Sequence, residues 1–177
     1  MKQFWGKYRG IVIDNEDPLM LGRLQVSVPM VLGEVLTAWA MPCVPYAGLQ
    51  VGFCMMPPIG AAIWVEFEGG DPDYPIWAGC FWREGERPQL AELPTTRLIQ
   101  TSCGLLALDD LPGEGGFALS VQDPAVPVPV TIKADAMGVA VTVGDARISV
   151  AEDGISIVHG SATIAVADPL VTITGQE

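Results

Sequence analysis

From Val130 onward the chain repeats one short unit, two β-branched aliphatic residues separated by a single position. The units are Val130/Ile132, Val141/Val143, Ile148/Val150, Ile155/Ile157, Ile164/Val166 and Val171/Ile173. Their first members lie 11, 7, 7, 9 and 7 positions apart. Residues two apart share one face of a strand, so each unit presents a pair of aliphatic side chains to one side. Small or turn-forming residues fill the gaps: Gly138, Gly144-Asp145, Asp153-Gly154, Gly160-Ser161 and Asp168-Pro169. A repeat of about eight residues is one strand plus one corner. No aromatic residue follows Phe117, so one copy has little with which to close a core over these faces. A single layer would leave its apolar side wet and its ladder edges open. Three copies around a common axis bring the apolar faces together and pair strands between chains. The repeat therefore predicts an intertwined trimeric β-helix, a triangular β-prism. Its core would be Val130, Ile132, Val141, Val143, Ile148, Val150, Ile155, Ile157, Ile164, Val166, Val171 and Ile173. Six such strands stack to roughly 30 Å at about 4.8 Å per strand. A monomeric parallel β-solenoid is the competing arrangement.

The first half has a different texture. Helical periodicity is nearly absent, and short β-rich runs are cut by Gly, Pro, Asn and Asp every eight to twelve residues, an all-β pattern. Strands are expected at 8–14, 22–28, 37–42, 61–68 and 75–81. Five strands in so short a stretch suit a small closed barrel of the OB type, which removes exposed sheet edges. Trp39, Trp64, Phe67 and Trp77 are expected to fill it. The charged, proline-punctuated stretch 83–94 reads as a linker. The division is thus 1–82 for an OB-fold barrel, 83–94 for the linker, and 95–177 for a transition hairpin and needle.

Nine Lys and Arg stand against 21 Asp and Glu, a net charge of −12, which opposes binding to a phosphate backbone. No nucleic-acid partner is expected. No run of 18 apolar residues is present, and the first residues lack the apolar core of a leader, so folding in the bacterial cytoplasm is expected. Cys43, Cys54, Cys80 and Cys103 form no C-x-x-C pair and read as reduced, mostly buried thiols. Glu66 and Glu68 share a strand face, but a solvated outer face explains them, and the serines have no G-x-S-x-G setting. No catalytic residue is assigned, and no enzyme activity or cofactor is expected. His159 has the parity of Ile155 and Ile157, so a continuing strand would aim it at the trimer axis, where three copies form a candidate iron or zinc site. Gly160 directly after it and the lack of a second histidine make a corner or surface position the better reading, and no metal is assigned.

A series of motifs runs through the first half in fixed order. They are Gly10-Ile11-Val12, Asn15-Glu16-Asp17-Pro18, Gly22-Arg23-Leu24-Gln25-Val26, Trp39-Ala40, Pro45-Tyr46-Ala47-Gly48, Pro57-Pro58-Ile59-Gly60, Val65-Glu66-Phe67-Glu68-Gly69-Gly70-Asp71-Pro72 and Tyr74-Pro75-Ile76-Trp77-Ala78-Gly79. In order and spacing, 8–81 resembles the OB-fold domain of phage baseplate assembly protein V and of the VgrG spikes of contractile injection systems. Ile99-Gln100-Thr101 with Gly104–Asp110 resembles the strand pair that opens the needle of such spikes.

The resemblance implies a homotrimeric central spike in a virion tail or injection-particle baseplate, attached to the hub and tube end. It would be driven through a target envelope when a sheath contracts, meeting the target membrane only during puncture. Implied partners are the baseplate hub protein, tail tube or wedge proteins, and a PAAR-type tip protein. Some relatives carry a lysozyme domain between barrel and needle, and 83–94 is too short for one. Phe4, Trp5 and Tyr8, beside Lys2 and Lys7, are expected to contact the hub or to plug the barrel. Val171, Ile173 and Gly175 keep the alternation going and are expected to form a blunt platform for the tip protein. A stand-alone OB-fold ligand-binding module is the alternative reading.

Overall fold

The computed structural model describes residues 2–91 and 93–175; Glu92 of the expected linker, together with Met1, Gln176 and Glu177, lies outside the described residues. The chain separates into two compact units, Met1–Arg87 and Pro88–Glu177, with the divide falling inside the expected linker stretch.

In the first unit the strands are β1 (Tyr8–Asp14), β2 (Gln25–Ser27), β3 (Met41–Pro42), the small hairpin β4 (Ala47–Gly48) and β5 (Val51–Gly52), then β6 (Ala62–Phe67) and β7 (Pro75–Cys80). One helical turn, α1 (Pro29–Leu32), occupies a turn cluster that opens on a proline, which suits a first helical position. Five strands form one sheet in the order β2-β1-β6-β7-β3, antiparallel except for the parallel pair β3 and β7. The two ends of this sheet meet. Leu24 and Ala40 exchange backbone hydrogen bonds of 3.1 and 2.7 Å, and Thr37 N–H donates to the Val26 carbonyl at 3.0 Å. The segment 36–42 thus runs from β2 across to β7 and closes the barrel that the sequence predicts.

The barrel core is aliphatic. Val12, Leu24, Val26, Val28, Ile63 and Val65 are fully buried, with Ala40, Phe67 and Trp77 beside them. Period two along β6 explains the choice, since Ile63, Val65 and Phe67 point inward. Trp64 points outward between them, which corrects the expectation that it fills the barrel. Trp39 is likewise half-buried on the outside. Arginines cover both rings: Arg23 lies 5.7 Å from the Trp39 ring centre, and Arg9 lies 5.9 Å from that of Trp64. Trp77 goes inside and donates its indole N–H to the Gly22 carbonyl at 3.0 Å. The thiols also differ from expectation: Cys43, Cys54 and Cys80 are exposed and Cys103 is half-buried.

Asp17 does more than shape a turn. Its nearly buried carboxylate accepts backbone N–H groups from Leu19, Leu21 and Arg23 at 3.0, 2.8 and 3.2 Å. The Arg23 guanidinium grips it through Nη2 at 2.6 Å and Nε at 3.1 Å. One side chain therefore gathers the loop 17–23 and delivers Leu24 to the core. The guanidinium above all, helped by the backbone donors, holds the Asp17 carboxyl far below the usual carboxylate range.

The second unit is a single sheet of nine strands: β8 (Thr96–Gln100), β9 (Gly104–Asp109), β10 (Gly116–Val121), β11 (Val130–Asp135), β12 (Gly138–Val143), β13 (Ala146–Ala151), β14 (Gly154–His159), β15 (Ala162–Ala167) and β16 (Leu170–Thr174). Each strand pairs antiparallel with its neighbours in the chain. From β11 onward two residues separate one strand from the next, too few for anything but a hairpin. The structure therefore corrects one expectation, because the backbone ladder of the needle runs inside one chain instead of between chains. Gly138 and Gly154 open their strands with positive φ, and a Cβ at either would collide with a carbonyl oxygen of the next strand, Val150 or Val166.

Truncating Leu24 to Ala is expected to cost the barrel about 2–5 kcal/mol, read from denaturant unfolding followed by tryptophan fluorescence. Asp17 supplies stability that is fully present above its unfolded pKa, about 3.9, and is lost as pH falls through the depressed folded value. Acid titration of Asp17→Asn should show a barrel less stable at neutral pH, with a flatter decline below about pH 4.

Candidate functional site

The register of the nine-stranded sheet sorts its side chains into columns. The central column on one face takes one residue from every strand: Ile99, Leu106, Leu119, Ile132, Val141, Ile148, Ile157, Ile164 and Ile173. A flanking column runs Leu108, Phe117, Ala134, Val139, Val150, Ile155, Val166 and Val171. The other flank runs Gly104, Val121, Val130, Val143, Ala146, His159 and Ala162. All twelve residues expected in a trimer core stand on this one face. The opposite face is small and polar along its middle, with Ala140, Ser149, Ser156 and Ala165 in a row and the Ser149 and Ser156 hydroxyls 2.7 Å apart.

Among the described residues, nothing in the unit covers the aliphatic face. Ile148 is 50% exposed, Ile157 45% and Ile164 41%, and these columns carry no Asp, Glu or Lys. Arg97 of β8, in register with Leu108, is the one Lys or Arg of these columns; a face this apolar left in water is an interaction surface. The sequence reading stopped short at its upper end. Leu106/Leu108 and Phe117/Leu119 are the same two-residue unit, but leucine and phenylalanine in place of β-branched residues hid them from a Val/Ile search.

The other candidates fall in separate places. Phe4 and Tyr8 pack on the barrel end, their ring centres 6.2 and 5.7 Å from that of Phe67, with Phe4 N–H bonded to the Gly70 carbonyl at 2.8 Å. Trp5 stays 65% exposed. A second apolar surface, absent from the sequence reading, lies on the barrel loops: Leu19-Met20-Leu21, and the β4–β5 hairpin whose tip residue Leu49 is 94% exposed. Its signal is the Leu/Met-rich composition of 19–21 and 49–56. Glu66 is ion-paired to Lys7 at 2.5 Å, while Glu68 opens a 3-10 turn and leaves the strand, so the two share no continuous face. His159 is the last residue of β14, exposed, in a flanking column between Ala146 and Ala162. Val171 and Ile173 on β16, at one end of the sheet, are exposed, as is Gly175 just beyond.

A barrel whose third strand pairs parallel with its last, followed by a sheet with one uncovered aliphatic face, defines a structural module built for assembly. Residues 8–82 match the family of the type VI secretion system/phage-baseplate injector OB domain. Over 94 residues, 52% of the chain, the sequence is 34% identical to the actin cross-linking toxin VgrG1 of Vibrio cholerae serotype O1 (strain ATCC 39541 / Classical Ogawa 395 / O395). The chain spans 8% of that relative's length. The first unit is thus an injector OB domain. Both units are all-β, and over half its length the chain is similar to a VgrG protein.

Replacing Ile148 and Ile157 together by Lys puts two charges into the central column of each copy. Any partner seated on this face, a second copy included, should bind about 100-fold or more weakly, measured by sedimentation velocity, with the β-sheet circular dichroism retained.

Proposed function

We propose that the chain is the homotrimeric central spike of a contractile tail or injection-system baseplate. It is attached to the hub and tube end and is driven through the target envelope when the sheath contracts. The observation that carries this reading is the unbroken aliphatic column with one residue from each of nine strands, half exposed in a single copy. Three copies, each one wall of a prism, would turn these columns inward and leave the Ser, Ala and Thr face outside. The ladder already closed within each chain then gives every wall its own rigidity, and a dry aliphatic seam joins the walls. Such a body suits axial load and needs no chemistry of its own, so we propose no enzymatic role for this chain.

Trp5 is the part of the aromatic amino terminus left free for the baseplate hub protein, while Phe4 and Tyr8 serve the barrel. At the other end of the sequence, Val171, Ile173 and Gly175 offer a flat platform to a PAAR-type tip protein. Tail tube or wedge proteins are the remaining partners, and the particle is assembled in the bacterial cytoplasm. We assign no metal to the prism. The central column lies nearest the axis, and His159 stands one column aside.

Electron microscopy of particles carrying a gold-binding tag on this chain tests the reading. Label at the tube end with three-fold density is the expected result, and particles deleted for the chain should contract without permeabilising target cells. Full permeabilisation by deleted particles would overturn it.

A further inference from the structure

The two side margins of the nine-stranded sheet differ in charge. The turns Ala136-Met137, Glu152-Asp153 and Asp168-Pro169 lie along one margin, and Gly144-Asp145 and Gly160-Ser161 along the other. Arg147, the second residue of β13, flanks this second margin. It is the sole Lys or Arg between Ala136 and Gly175. Among the described residues, neither Arg147 nor Glu152 nor Asp153 has an ion-pair partner within the chain. Within one copy Arg147 lies in electrostatic reach of Asp135 at the end of β11, which is already ion-paired to Lys133, while the backbone of Arg147 stands about 17 Å along the strand from that of Glu152.

A rotational trimer changes that. Three identical walls around an axis bring the Arg147 margin of each copy against the Glu152-Asp153 margin of the next. Rotation adds no shift along the axis, so height is set by strand number alone. Arg147 sits on β13, and Glu152-Asp153 form the turn between β13 and β14, about half a strand spacing or 2.4 Å away along the axis. The pairing partners of Arg147, Thr142 and Val158, belong to the face opposite the aliphatic columns, so the guanidinium reaches the corner from the outside. Asp145 is on its own margin, and Asp168 is two strands further along.

The aliphatic columns cannot set the height themselves. Ile148, Ile157, Ile164 and Ile173 are the same residue on successive strands, so a wall slipped by one hairpin still meets isoleucine. A repeat this uniform needs a marker that occurs once, and one charge pair at a fixed height provides it.

We propose that Arg147 of each copy pairs with Glu152 and Asp153 of the next, three times around the trimer, and so fixes the axial register of the walls. The inference rests on the trimeric reading, and its test separates the two. Full-length protein is followed by light scattering through urea. Arg147→Glu should dissociate at lower urea, with its trimer dissociation constant raised tenfold or more, since each corner changes from attraction to repulsion. The combined variant Arg147→Glu, Glu152→Arg, Asp153→Arg should recover most of that loss. Arg147→Gln should lose the part of the wild-type stability that salt screens away. A wild-type chain that is monomeric overturns the trimer. A trimeric wild type that neither Arg147→Glu nor salt weakens overturns the corner pair and leaves the trimer standing. If Arg147→Glu fails to fold, the Arg147→Gln salt series and the combined variant decide.

Discussion

A nine-stranded sheet that satisfies its backbone within one chain, yet leaves a whole aliphatic face half in water, governs this molecule. The seven inner strands are paired on both sides within the chain, and only β8 and β16 keep an open edge. The face is incomplete, so the chain needs a second surface for its side chains. Covering the exposed half of one Val or Ile is worth about 1 kcal/mol, while association costs roughly 4–15 kcal/mol in lost freedom. One or two such residues could not hold copies together. A dozen on each copy, in columns that run the length of the sheet, can. This arithmetic is why the repeat matters more than any single residue in it.

Much of this was legible in the sequence because the physics is local. Two-residue spacing of Val and Ile fixes which face is apolar, and Gly-Asp or Gly-Ser pairs fix where strands turn. The barrel strands followed the same logic, and β1 has the limits read from its alternation. What the sequence did not disclose was direction. A unit of eight residues reads equally as a coil passing to another chain or as a hairpin returning to its own. The choice fell to the two-residue turns and to glycines such as Gly138 and Gly154, whose missing Cβ lets neighbouring strands close. Tryptophan misled for a related reason. Size suggested burial for Trp39 and Trp64, but parity and covering arginines placed both outside an aliphatic interior.

The loops were the least readable part, since their interactions join residues of unlike type. Asp17 stands before a proline like an ordinary turn residue, whereas its carboxylate gathers three residues, Leu19, Leu21 and Arg23, the last through its guanidinium as well. The exposed Leu and Met residues of 19–21 and 46–56 gave no periodic signal at all. Charge on the sheet margins was equally silent in the linear sequence, where Arg147 and Glu152 look like neighbours. Only a strand between them shows that they face opposite ways.

Native mass spectrometry of the full chain at nanomolar concentration tests the central claim most directly, that three copies share one aliphatic core. The account predicts a single species at three times the 18.8 kDa chain mass. A folded species at 18.8 kDa, with its sheet intact by circular dichroism, would contradict it.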